Sequence, residues 1–267
     1  MTVETTPKIT PGDAEWQNLT PDEKMDLRFE AWRSTEGINF VDKQAEEDYN
    51  LRLSCQIDAI RLKKTPYRVP VIPNMGAFAT TFCGYTHKEL MYDVDKCIDV
   101  MMRCTTEFQT DGRIAGGALP ARVYDAVDFK LYSWPGHGIA DDADGVQYVE
   151  DEYMGPDEYD ALIANPDEYW RRTYLPRIMG SLEALKKLPN PIFGASATAA
   201  IPSSMSSFGL PEVQAALKKA MEAGEAQLEW GKRMGPAGQK LSEMGYPGGF
   251  GGSARAPFDL IGDSMRG

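Results

Sequence analysis

Two short apolar runs stand on either side of one long helical pattern, and that order constrains the chain more than any other feature. The first run, Arg68-Val-Pro-Val-Ile-Pro73, is β-branched and bounded by turn residues, as a short strand should be. Thr86-His87-Lys88-Glu89 is a capping box, whose hydroxyl and carboxylate satisfy free N–H groups at a helix start. Leu90, Val94, Cys97, Ile98, Met101, Cys104 and Phe108 then recur as one apolar stripe, and Gly112 closes the helix. Arg113-Ile-Ala-Gly-Gly-Ala-Leu119 is the second run. A crossover of about 40 residues carrying a helix predicts a parallel βαβ unit, because parallel strands cannot be joined by a tight turn.

Residues 1–19 are polar and proline-punctuated and are expected as a flexible tail; residues 20–267 are expected as one domain. Thr20-Pro21-Asp22-Glu23 predicts a helix through about Trp32. A second helix should begin near Val41, with Tyr49, Leu53, Ile57 and Ile60 on one face and Lys63-Lys64 at its negative end. Residues 120–160 read as irregular, rich in aromatics and acids. Pro156-Asp-Glu-Tyr159 and Pro166-Asp-Glu-Tyr169 start two further helices. Residues 196–207 read as a mobile connection, and residues 211–234 as one more helix.

The 267 residues are 42% hydrophobic, enough for one large domain or two small ones. A formal charge of −12 repels phosphate backbones and anionic lipid, so neither nucleic acid nor membrane is expected as a partner. No run of apolar residues is long enough to span a bilayer, and Met-Thr-Val-Glu-Thr-Thr-Pro-Lys lacks the order of a secretory signal. Four cysteines in a chain of this length do not make a disulfide framework. The expectation is a reduced, cytoplasmic protein.

Three sets of residues together point to a family. Pro70-Val-Ile-Pro73 follows a two-helix lead-in, and Phe108-Gln-Thr-Asp111-Gly112 precedes the second run. Gly252-Ser-Ala-Arg-Ala-Pro257-Phe258-Asp-Leu-Ile-Gly-Asp-Ser-Met-Arg266-Gly267 closes the chain. In this order they resemble the uroporphyrinogen decarboxylase superfamily, which holds decarboxylases of tetrapyrrole synthesis and corrinoid-dependent methyltransferases. Gln147-Tyr-Val-Glu-Asp-Glu-Tyr-Met154, Glu158-Tyr159-Asp160 and Leu175-Pro176-Arg177 are similar to the methyltransferase-like branch. The resemblance implies an α/β fold, a TIM-type (β/α)8 barrel with its site at the C-terminal ends of the strands. By that pattern residues 256–261 are only the third of eight strands. The expectation is therefore the N-terminal part of a barrel, incomplete and truncated or naturally split. A complementary C-terminal half or second subunit would supply the rest.

The resemblance also separates two chemistries. Porphyrinogen decarboxylases resemble one another in an arginine-rich loop after the first strand and an aspartate after the second. Here Asn74-Met-Gly-Ala-Phe78 has no arginine, and Gly116-Gly117-Ala-Leu119 has no aspartate. Arginine forks are hard to replace in binding carboxylates, although Arg122 and Arg255 are candidates to compensate. Thiol-directed methyltransferases of the family bind zinc through His-x-Cys and a later Cys. This chain contains no His-x-Cys, so zinc is expected only with a complementary half, and a corrinoid (cobalamin) only as carried by a partner protein. The expected function is methyl transfer involving a cobalt corrinoid. Uroporphyrinogen decarboxylation and a non-catalytic accessory or inactive role are the alternatives.

No catalytic residue or metal ligand is assigned. Substrate- and cofactor-binding candidates are Asn74, Gly116, Gly117 and Asp259 after the strands, Arg255 as an anion contact, and His137 in Trp134-Pro-Gly-His-Gly138. His137 reads as a residue overhanging the barrel mouth or as a loop hydrogen-bonding group. His87 reads as a helix-start surface residue, and Cys97 with Cys104 as core packing. Asp141, Asp142 and Asp144 read as a solvated turn. Gly249-Phe-Gly251-Gly-Ser-Ala254 reads as a hinge, since Pro257 stops any helix after it.

Overall fold

The computed structural model describes residues 10–115, 118–188 and 202–250. The fold is an α/β mixture, mostly helical, with one small three-stranded sheet. The chain divides into two compact units. Among the described residues, the first holds 10–73, 108–113 and 238–250; the second holds 74–107, 114–115, 118–188 and 202–237.

The first unit is built on α1 (Pro21–Arg33) and α2 (Lys43–Arg61). Thr20 caps α1 in the expected box, and Asp42 caps α2 by accepting from the Ala45 N–H at 2.8 Å. Each such cap is worth about 1 kcal/mol. Tyr49, Leu53 and Ile57 are buried as expected, but Ile60 is 45% exposed. The buried face of α2 instead widens to include Arg52, Gln56 and Asp58. Ala14–Asn18, within the stretch expected as a flexible tail, form a 3-10 turn that buries Trp16, with the Arg28 guanidinium over its ring at 5.1 Å.

Residues 68–73 and 113–119 were expected as barrel strands, and this is corrected: neither forms a strand among the described residues. Residues 68–73 run alongside Asp111 and receive a single main-chain bond, from the Asp111 N–H to the Val71 carbonyl at 2.9 Å. A ladder needs that bond repeated along both chains. The third expected strand, residues 256–261, lies outside the described residues, as does the glycine segment 251–254.

The second unit contains α3 (Gly76–Cys83), α4 (His87–Tyr92), α5 (Val94–Glu107) and α6 (Ala121–Val127). The single long helix expected from Thr86 is broken at Asp93, whose backbone is extended and whose carboxylate accepts from the Asp95 N–H at 3.0 Å. Aspartate competes for local N–H groups in this way, which ends one helix and starts another. Ala79, Cys83, Leu90, Cys97, Val100, Cys104 and Ile114 form one core cluster.

The stretch read as irregular holds the sheet: β1 (Tyr132–Pro135), β2 (Gly138–Ile139) and β3 (Gln147–Tyr148), in the order β2-β1-β3. β1 pairs with β2 in parallel, Trp134 opposite Gly138, and antiparallel with β3, Tyr132 opposite Tyr148. Beyond it, α7 (Tyr159–Ala164) follows a 3-10 turn at Pro156–Glu158, and α8 (Pro166–Tyr169) starts at its own proline, as expected. After α9 (Leu175–Ile178), the last helix among the described residues, α10, runs over Pro211–Glu243. It continues through Pro236, nine residues beyond the expected end at 234. Residues 211–237 of it belong to the second unit and residues 238–243 to the first.

Candidate functional site

The loop Trp134-Pro-Gly-His-Gly138 is the best-defined candidate. Gly136 and Gly138 both have φ of +88°, which only glycine adopts freely. A Cβ at Gly136 would also lie 2.7 Å from Lys88 Cε, and one at Gly138 2.8 Å from Ser133 Oγ. The turn they permit brings His137 back over Trp134. The rings stack at 4.0 Å with planes 6° apart, and the main chains of the two residues exchange hydrogen bonds of 2.7 and 2.9 Å.

Two helices complete the cluster. Asp125 of α6 places Oδ1 3.8 Å from His137 Nδ1, within ion-pair reach of a protonated imidazole. The Trp134 Nε1–H donates to the Tyr92 hydroxyl of α4 at 3.2 Å. Burial, with the nearby Asp125 charge, raises the Tyr92 phenol above its ordinary value. Lys88 ion-pairs with Asp141 at 2.7 Å beside the loop. The result is a half-exposed imidazole held between an indole face and a carboxylate, an arrangement able to accept, hold or give a proton.

His87 is set differently. Its Nδ1 is buried without a hydrogen-bond partner among the described residues, and burial pushes its imidazole below the ordinary value. Among the described residues no three His, Cys, Asp or Glu side chains converge as a metal centre.

Asn74 is exposed ahead of α3, and no described contact joins it to His137. Gly116, Gly117, Arg255 and Asp259 lie outside the described residues. Sequence reasoning therefore reached His137 but not Asp125 or Tyr92. Nothing local marks those two, of which Asp125 faces His137 and Tyr92 faces Trp134 only because separate elements meet.

A second polar locus lies in the first unit. Asp111 is fully buried; its carboxylate accepts from the Val71 N–H at 2.7 Å and ion-pairs with Arg68. Gln56 donates to the Asp111 carbonyl at 2.7 Å. Nearby, Arg52 donates to the Gly245 carbonyl at 2.7 Å and lies 4.1 Å from the Tyr246 ring. Arg113 reaches the Tyr246 carbonyl at 3.3 Å and also the Ser242 hydroxyl, and burial lowers its guanidinium from the ordinary value. Both arginines cap the C-terminal end of α10, where the dipole favours cations.

Compared with protein-family models, curated proteins and solved structures, the chain finds no match. No helix among the described residues is long and apolar enough to cross a membrane.

Proposed function

We propose that the chain is a uroporphyrinogen decarboxylase-like protein of the methyltransferase branch, acting in methyl transfer to or from a cobalt corrinoid carried by a partner. The observation that carries this reading is the contact of Val71 with Asp111. Residues 71 and 111, separated in sequence by the helices of residues 76–107, are joined by one main-chain hydrogen bond of 2.9 Å. In a (β/α)8 barrel the first two strands lie side by side with a helical crossover between them; here the chain returns past residue 71 after such a crossover and makes one bond without a ladder.

Methyl transfer is favoured over decarboxylation by what the arginines are doing. Arg68, the closest arginine before the Asn74 loop in sequence, is committed to buried Asp111. Arg122, the candidate to compensate for an arginine-poor loop, pairs with Glu229 at 3.1 Å. Arg68 is thereby held away from a substrate bearing many carboxylates, whereas the exposed Arg122–Glu229 pair holds Arg122 only weakly. The corrinoid would stay on its partner. Clefts in the second unit measure about 70 Å3 beside Met91, Tyr92 and Trp230, and about 390 Å3 along Arg122, Asp125 and Lys219. Sites for drug-sized ligands alone run to roughly 300–1,000 Å3, so neither encloses a larger macrocycle. Zinc and its thiol-activating ligands would come with a complementary half or second subunit.

A second reading, a non-catalytic accessory subunit, is favoured by one feature. Tyr67, Val69, Val71 and Ile72 are 82%, 78%, 56% and 46% exposed, an apolar row suited to a protein partner.

The test is to mix the purified chain with corrinoid proteins and methylcobalamin and follow the cobalt–carbon absorbance. Methyl transfer predicts complex formation and a changed spectrum. A complex without spectral change supports the accessory role, and neither one removes the basis of the proposal. Coproporphyrinogen formed from uroporphyrinogen by this chain alone reverses the ranking.

A further inference from the structure

Three of the four cysteines lie in one core cluster, but only two of them meet. Cys83 is the last residue of α3 and Cys104 lies in α5; their sulfurs are 3.9 Å apart, in van der Waals contact. Cys97 is committed elsewhere, since its thiol donates to the Leu90 carbonyl at 3.1 Å. Cys55 belongs to the first unit.

The geometry points to a peroxide-driven disulfide between Cys83 and Cys104 that ties the end of α3 to α5. The sulfurs must close from contact to about 2.05 Å for the bond to form. The end of α3 suits this, because the next residue, Gly84, has φ of +81° and turns the chain away.

The two thiols differ. Cys83 is 9% exposed. Cys104 has no exposure, and burial, with the neighbouring Cys83, pushes its thiol up to about 12. Cys83 therefore meets the oxidant and Cys104 resolves it. In the first step the Cys83 sulfur attacks a peroxide oxygen, the O–O bond breaks, and the thiol proton leaves in water, giving a sulfenic acid. In the second, the Cys104 sulfur displaces that hydroxyl, which departs with the Cys104 proton as another water. Two thiols are oxidised and one peroxide is reduced.

The experiment treats the full folded chain with hydrogen peroxide, then counts thiols after denaturation and maps the linked peptides by mass spectrometry. The count should fall from four to two, with Cys83 joined to Cys104 and with Cys55 and Cys97 free. In Cys104→Ala the link should vanish and dimedone should label Cys83. Survival of all four thiols, a link through Cys97 or Cys55, or over-oxidation of Cys83 without a link overturns the proposal. The wild-type map decides the matter even if the variant does not fold.

Discussion

Asp111 and Val71 hold each other through both their polar groups. The Asp111 N–H donates to the Val71 carbonyl at 2.9 Å, and the Val71 N–H donates to the Asp111 carboxylate at 2.7 Å. Because Asp111 is fully buried, Asp111→Ala strips an N–H of its acceptor and Arg68 of its partner. Arg68 is 41% exposed on its side chain and regains water, so the cost is set mainly by the lost buried hydrogen bonds. The expected loss is about 2–3 kcal/mol, with Asp111→Asn costing less because it keeps an acceptor oxygen. Urea unfolding measures both; equal losses would show that the acceptor is irrelevant.

Gly245 closes α10 with φ of +91°, and the Tyr246 N–H returns to the Leu241 carbonyl at 2.8 Å. A Cβ there would lie 2.7 Å from the Ala45 carbonyl oxygen, which is backbone and cannot swing away. Gly245→Ala should therefore destabilise by about 2 kcal/mol or more, from left-handed strain plus displacement of α2. A denaturation midpoint unchanged from the parent chain would contradict this.

Tyr92→Phe leaves the indole N–H of fully buried Trp134 without its acceptor. An unsatisfied buried donor costs about 1–3 kcal/mol. The unfolding free energy should drop by that amount. The Trp134 indole proton should also exchange faster with deuterium while the exchange of Trp230 stays unchanged.

Glu158 receives Arg177, whose guanidinium hydrogen bonds hold its carboxyl down to about 2. A carboxyl depressed in the folded state stabilises above its unfolded pKa, and that contribution is lost as pH falls toward the folded value. Melting temperature should thus decline between the ordinary carboxylate range and about pH 2. Glu158→Gln should flatten that part of the profile. Thermal melts across this window, parent against variant, give the answer; parallel curves would exclude the pair as a source of acid sensitivity.

The sites differ in how far they were legible. Thr20 with Glu23 and Thr86 with Glu89 specify helix starts because the bonds that form them span three residues. Pro156 and Pro166 did the same, and the φ-positive glycines of Trp134-Pro-Gly-His-Gly138 marked a turn worth inspecting. The break at Asp93 was local too, but the apolar stripe running through it hid the signal. The polar face of α2 was not legible. Arg52, Gln56 and Asp58 look like ordinary surface residues until a carbonyl from residue 245 or residue 111 arrives to receive two of them.

The sequence by itself determined the helix starts at Thr20, Thr86, Pro156 and Pro166 and the burial of Tyr49, Leu53 and Ile57, since those depend on neighbours within a turn or two. The tertiary structure alone decided that Asp111 would be buried against Val71, that Asp125 would meet His137 and Tyr92 would meet Trp134, and that Cys83 would touch Cys104. Such contacts span between 12 and 42 residues, and a pairing at that distance forms only after the chain has closed a loop, at an entropic cost no local pattern records.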